Sequence, residues 1–134
     1  MKAFSLKIIT PDGIRFEGMA EELVVRTTTG DVGILAGHIN YVSSLGMGEA
    51  MIVMDGQKCY GACIGGMVCV VNGEVTLLPT SFEWSDQIDT ERLHISKQRA
   101  EAILESKDAS TADIQLAKAR LKRALVRSSV ANRK

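Results

Sequence analysis

The sequence predicts a mainly β chain with an α-helical end. An N-terminal β-sandwich of about eight to ten short strands spans residues 1–84, and a two-helix antiparallel hairpin spans residues 85–134. Three observations carry this. Up to about residue 83 apolar side chains alternate with polar ones in short runs, separated by turn residues every 8–12 residues or so, roughly the spacing of sandwich strands. From residue 84 the apolar period changes to that of a helix, 3.6 residues. The charge also divides. The net charge is zero, yet residues 1–83 carry five basic and nine acidic side chains, whereas residues 84–134 carry eleven and seven.

Phe4, Leu6 and Ile8 alternate with Ser5 and Lys7, the pattern of a half-buried strand. Pro11-Asp12-Gly13 forms a turn, because proline fixes φ and glycine accepts a positive one. Ile14, Phe16 and Gly18 begin the return strand, and Glu22–Thr27 forms another that ends at Gly30. Gly30 to His38 reads as turn, short buried strand, turn. Gly46-Met47-Gly48 corners the chain before a strand at Ala50–Met54. Asp55-Gly56 and Asn72-Gly73 are two-residue hairpin signals. They join Ala50–Met54 to Gln57–Ile64 and Met67–Val71 to Val75–Leu78, after which Pro79 stops the last strand.

In the second half Asp89 caps a helix running to about Lys107, with Leu93, Ala100, Ile103 and Leu104 on one stripe. Ser110 with Asp113 resembles a capping box that opens a second helix, running to about Val126–Ser128 with Ile114, Ala117, Leu121 and Leu125 on its apolar stripe. Arg120, Arg123 and Arg127, spaced by three and four, share a neighbouring face. The hairpin has too few large apolar residues to be stable alone. It therefore needs the sandwich, a ligand or another protein to dock on, and two alternative docking sites would make it a switch.

Several chemistries are disfavoured. The longest run free of strongly polar residues, Gly61–Val71, is far short of the ~20 apolar residues of a membrane span. Direct membrane insertion is therefore not expected, and no signal peptide is evident at the start. Cys59, Cys63 and Cys69 are odd in number and lack CxxC spacing, so buried free thiols are expected, and no metal site. Gly61–Gly66 is followed by Met67 rather than by the Lys and hydroxyl of a phosphate loop, which leaves close packing of sheet corners as its role.

The stretch Gly30-Asp31-Val32-Gly33-Ile34-Leu35-Ala36-Gly37-His38 resembles the signature of the ε subunits (delta in mitochondria) of F-type ATP synthases, which usually read Gly-Ile-Leu-Pro-Gly-His-x-Pro. Gly33, Ile34, Leu35, Gly37 and His38 are kept, and Ala36 and Asn40 stand where the family often has prolines. Pro11-Asp12-Gly13, Phe16, Gly18, Gly30 and Gly65-Gly66 match as well, and the resemblance covers essentially the whole chain. It implies the same sandwich-plus-hairpin fold and a non-catalytic subunit of the central stalk. Such a subunit clamps onto the γ subunit and the c-ring at the cytoplasmic face of the cell membrane as a peripheral component.

It further implies a mobile hairpin. Extended along γ, a basic second helix reaches an acidic loop in the α/β catalytic hexamer and restrains ATP hydrolysis. Lys118, Arg120, Lys122, Arg123 and Arg127 are the candidates for that contact. Several bacterial members bind a regulatory ATP, with no required cofactor, through Ile/Leu-Asp-x-x-Arg-Ala and arginines on both helices. Ile88-Asp89-Thr90-Glu91-Arg92-Leu93 matches except at Leu93, and Glu83, Arg99, Arg123 and Arg127 stand at the family's other positions. The alternative is that these arginines form inter-helix salt bridges or meet a protein. A lone chain is expected in the compact state.

Two rival classes remain. A nucleic-acid- or nucleotide-binding module could use the basic helix, but overall neutrality and the scarcity of aromatics oppose nucleic acid as a partner. A small nucleotide hydrolase lacks any recognised nucleophile, metal or phosphate-loop motif.

Overall fold

A computed structural model describes residues 2–133. Ten strands come first: β1 (Phe4–Thr10), β2 (Gly13–Ala20), β3 (Glu22–Thr27), β4 (Gly30–Leu35), β5 (Tyr41–Ser44), β6 (Met47–Met54), β7 (Gln57–Ile64), β8 (Met67–Val71), β9 (Glu74–Leu78) and β10 (Ser81–Trp84). A short 3-10 turn, Ser85–Gln87, leads into helices α1 (Thr90–Glu105) and α2 (Thr111–Ala131).

The strands form two five-stranded sheets, ordered β2-β1-β9-β8-β5 and β10-β7-β6-β3-β4. Neighbours pair antiparallel except β1 and β9, which run parallel. The alternation in the sequence sets the layers. Leu6, Ile8, Leu23, Val25, Ile52, Val68, Val70, Leu77 and Phe82 point inward and are fully buried between the sheets. Each such side chain contributes about 1.5–3 kcal/mol by leaving water. The two hairpin signals work as expected. Asp55 and Asn72 take φ of 52° and 51°, and the glycines after them 77° and 81°, the geometry of a type I′ turn.

Several details differ from the sequence expectation. The signature strand β4 is an edge strand, and only Ile34 in it is buried while Leu35 faces outward. The expected corner at Gly46-Met47-Gly48 is shorter than the triplet, for the chain crosses from the first sheet to the second at Leu45 and Gly46. β6 starts at Met47, and Gly48 lies inside it because the Arg26 side chain on β3 leaves no room for a Cβ there. Pro79 ends β9 but not the sheet, for β10 follows and pairs with β7 through Phe82 and Trp84. Only Cys63 is buried; Cys59 and Cys69 are partly accessible. Burial pushes the Cys63 thiol up to about 12, so it stays protonated and inert.

The helices start where their caps predict. Asp89 Oδ1 accepts from the amides of Glu91 and Arg92 at 3.1 Å each, and Ser110 Oγ accepts from Asp113 N at 3.1 Å. α2 continues to Ala131, beyond the expected Val126–Ser128, because its last turn is buried against the sandwich through Val130 and Ala131. Its inner stripe is correspondingly shifted. Ala117 and Ala124 are buried while Leu125 is exposed. Small residues on the seam, Ala100 with Ala117 and Ala124, allow the two helices a close approach. α2 lies against β6 and β7 on the outer face of the second sheet, and α1 packs mainly on α2. A second apolar cluster of Ala62, Ile88, Leu93, Ala124, Val130 and Ala131 joins hairpin to sandwich, with Tyr60 and Val126 at its rim. The hairpin is therefore folded back in the compact arrangement.

Candidate functional site

A cavity of about 390 Å³ opens between α1 and α2. Its floor is made by Ala100 and Ala124, whose short side chains leave the space. Arg99 from α1 and Arg120, Arg123 and Arg127 from α2 surround it, with Ser96 one turn before Arg99. The helical repeat explains the convergence, because residues three and four apart share a face. Among the described residues no carboxylate lies within ion-pair distance of Arg99, Arg120 or Arg123. Three cations without counter-charges in one groove have the chemistry to take an anion, and guanidiniums suit phosphate in particular because they donate in parallel pairs.

Arg127 is the exception. Its Nη2 donates to Glu83 Oε2 at 3.1 Å, and its Nε lies 2.7 Å from Glu83 Oε1. The Nε hydrogen is too far off line for a second hydrogen bond, and this buried atom has no other partner. Both side chains are largely shielded, so Glu83 ties the groove to β10 through a partly desolvated pair.

The remaining sequence candidates lie elsewhere. Ile88 and Leu93 are buried in the cluster beneath the hairpin. Asp89 is engaged as the cap of α1. Arg92 is exposed and does not line the groove. Lys118 is exposed, and Lys122 lines a separate shallow groove beside Arg26, Glu49 and Ser129. Of the ATP candidates, the groove gathers Arg99, Arg123 and Arg127, and Glu83 joins through Arg127. Arg120, expected only at a protein contact, lines it too. Ser96 was not foreseen; its one signal is its position three residues before Arg99.

Gly33, Gly37 and His38 are far from this groove in sequence and lie on or just after the edge strand β4. Gly37 takes a φ of 83°. His38 holds its loop locally: its Nδ1 is 2.8 Å from the Ile39 carbonyl, so that nitrogen carries the hydrogen, and its ring packs edge-on against Tyr41 at 5.8 Å.

Comparison with known proteins defines the lineage of this architecture. A family model for the delta/epsilon chain of ATP synthase, β-sandwich domain, matches residues 3–85. The chain belongs to the ATP synthase delta/epsilon chain family. Relatives of this family extend across the helices as well. The ATP synthase epsilon chain of Ruminococcus albus is 45% identical over 135 residues, covering 100% of both chains. That of Bacillus cytotoxicus is 40% identical over 134 residues, again covering 100% of both. Among solved structures, a chain of the Euglena gracilis mitochondrial ATP synthase (OSCP/F1/c-ring) superposes with a TM-score of 0.82 at 23% identity, over 95% of this chain and 80% of that one. A chain of the Tetrahymena thermophila mitochondrial ATP synthase central stalk and c-ring gives 0.60 at 13% identity, over 96% of both. At those identities the two structures speak to the fold alone.

Proposed function

We propose that this chain is the ε subunit in the central stalk of an F-type ATP synthase. In that role it is non-catalytic and peripheral to the membrane, at its cytoplasmic face. The sandwich grips the γ subunit and the c-ring and so couples ion-driven rotation to the catalytic α/β hexamer. The hairpin acts as a brake on ATP hydrolysis when it leaves the sandwich and presents Lys118, Arg120, Lys122, Arg123 and Arg127 to the hexamer. The subunit reading is supported by relatives named ATP synthase epsilon chain that match over the full length of both chains.

The regulatory reading rests on one observation, the groove of unpaired arginines between the helices. A nucleoside triphosphate seated there satisfies Arg99, Arg120 and Arg123 together. Both helices supply its contacts, so it binds only while they are paired and favours the compact state by its differential affinity. The rest of the Ile88–Leu93 motif serves the same end indirectly, by capping α1 and anchoring its first turn.

Calorimetric titration of the purified chain with ATP, with ADP in parallel, tests this. Saturable binding of ATP, weaker binding of ADP, and a loss of about 10- to 100-fold in affinity in Arg123→Ala are expected from removing a charge-assisted contact. No heat and no thermal stabilisation at millimolar ATP would sink the ligand. The arginines would then be left to the hexamer, and the subunit reading would rest on its relatives.

A further inference from the structure

Glu49, Ala62 and Glu83 fall in one transverse row of the second sheet, because Ala62 on β7 faces Glu49 on β6 and Glu83 on β10. The two acidic residues are therefore two strand spacings apart, about 9.6 Å, with Ala62 between them beneath α2. Each holds an arginine, one from the last turns of α2 and one from just past its end. Glu83 takes Arg127. Glu49 takes Arg133, whose Nε donates to Oε2 at 3.1 Å. Arg127 lies within α2 and Arg133 two residues past its last residue, so the two pairs fasten the helix from either side of its final turn. Val130, fully buried, lies between the two arginines in sequence. The Arg133 guanidinium also sits 5.1 Å from the centre of the Tyr60 ring, a cation–π contact on β7.

Apart from these pairs the end of the hairpin is fastened by the small apolar cluster, in which α2 contributes Ala124, Val130 and Ala131, while α1 packs mainly on α2. Neither Glu49 nor Arg133 lines the arginine groove.

We propose that Arg133, Glu49 and Tyr60 form a latch, independent of nucleotide, that holds the tip of α2 on the sandwich and must open before the hairpin can leave. It deepens the mobile-hairpin reading given above and rests on it. The chain then has two separate controls on one equilibrium: a groove that a ligand fills, and a latch written into the sheet register. The Arg133 side chain is 53% exposed and that of Glu49 23%, so the latch is weak and screened by salt.

Amide hydrogen exchange on the full chain without nucleotide tests this. Arg133→Ala and Glu49→Gln should each speed exchange in α2 by about 3- to 10-fold, the range of one exposed ion pair with a cation–π contact. The double variant should go no further than Arg133→Ala alone, and the strands should be unaffected. Arg133→Lys, which keeps the charge but not the planar stacking, should fall between. Unchanged α2 exchange in both single variants, or a double variant equal to the product of the two, overturns the latch. If Arg127→Ala opens α2 while Arg133→Ala does not, the latch fails and the mobile hairpin stands. If α2 exchanges only together with the strands in every variant, the mobile hairpin itself fails.

Discussion

Two glycines show how differently the same residue can be required. Gly66, between β7 and β8, has a φ of 93°, and a Cβ there would run into the Leu78 carbonyl oxygen and Pro79. Backbone, unlike a side-chain tip, has nowhere to yield. Gly66→Ala should lower stability by about 2 kcal/mol or more, seen as a lower urea midpoint at unchanged slope. Gly33, in the family signature, has no atom within 4 Å of its Cβ position and no positive φ. Gly33→Ala should leave the urea midpoint of the isolated chain within about 0.5 kcal/mol of the parent. A large loss at Gly33, or none at Gly66, would contradict this reading of the corners. Only the first of these requirements has a cause inside the chain, and it is the one the sequence announced, through the close packing expected of Gly61–Gly66.

Among the elements, the helix starts were legible and the helix ends were not. Asp89 and Ser110 announce the starts through a chemistry that is local, a side-chain oxygen taking backbone hydrogens two or three residues on. Because α1 packs mainly on α2, Asp89→Ala should cost about 1 kcal/mol in α1 and leave the strands untouched. Hydrogen exchange would show this as faster exchange confined to the hairpin; an equal effect in β6 and β7 would refute it. The end of α2 carries no glycine or proline stop, so burial of Val130 and Ala131 decides it. The tight turns at Asp55-Gly56 and Asn72-Gly73 were legible for the same local reason as the caps. β10 was hidden because it is only four residues long, between the break at Pro79 and the next turn. Of the groove, the spacing of Arg120, Arg123 and Arg127 was plain in the sequence, whereas Ser96 was not. The pairing of Glu49 with Arg133 depends on two elements 84 positions apart coming together, which no local pattern records.

At the scale of the molecule, the sixteen buried residues of the sandwich core all lie between Phe4 and Phe82, and the hairpin contributes none. Residues 1–88 should thus fold alone with a single cooperative urea transition, while residues 85–134 alone should show little helix by circular dichroism. A sandwich that fails to fold without the hairpin would mean that the second apolar cluster matters more than its alanines suggest. The parallel pairing of β1 with β9 bears on how the chain is born. Leu6 meets Val75 and Ile8 meets Leu77 across about seventy residues of sequence. At about 5–20 residues per second on the ribosome, β1 waits roughly 4–14 seconds for its central neighbour. During that interval Phe4, Leu6 and Ile8 line an unfinished sheet with a free edge, which another nascent copy could extend. The most hazardous moment for this protein is therefore its synthesis, before the strand that closes the first sheet has emerged.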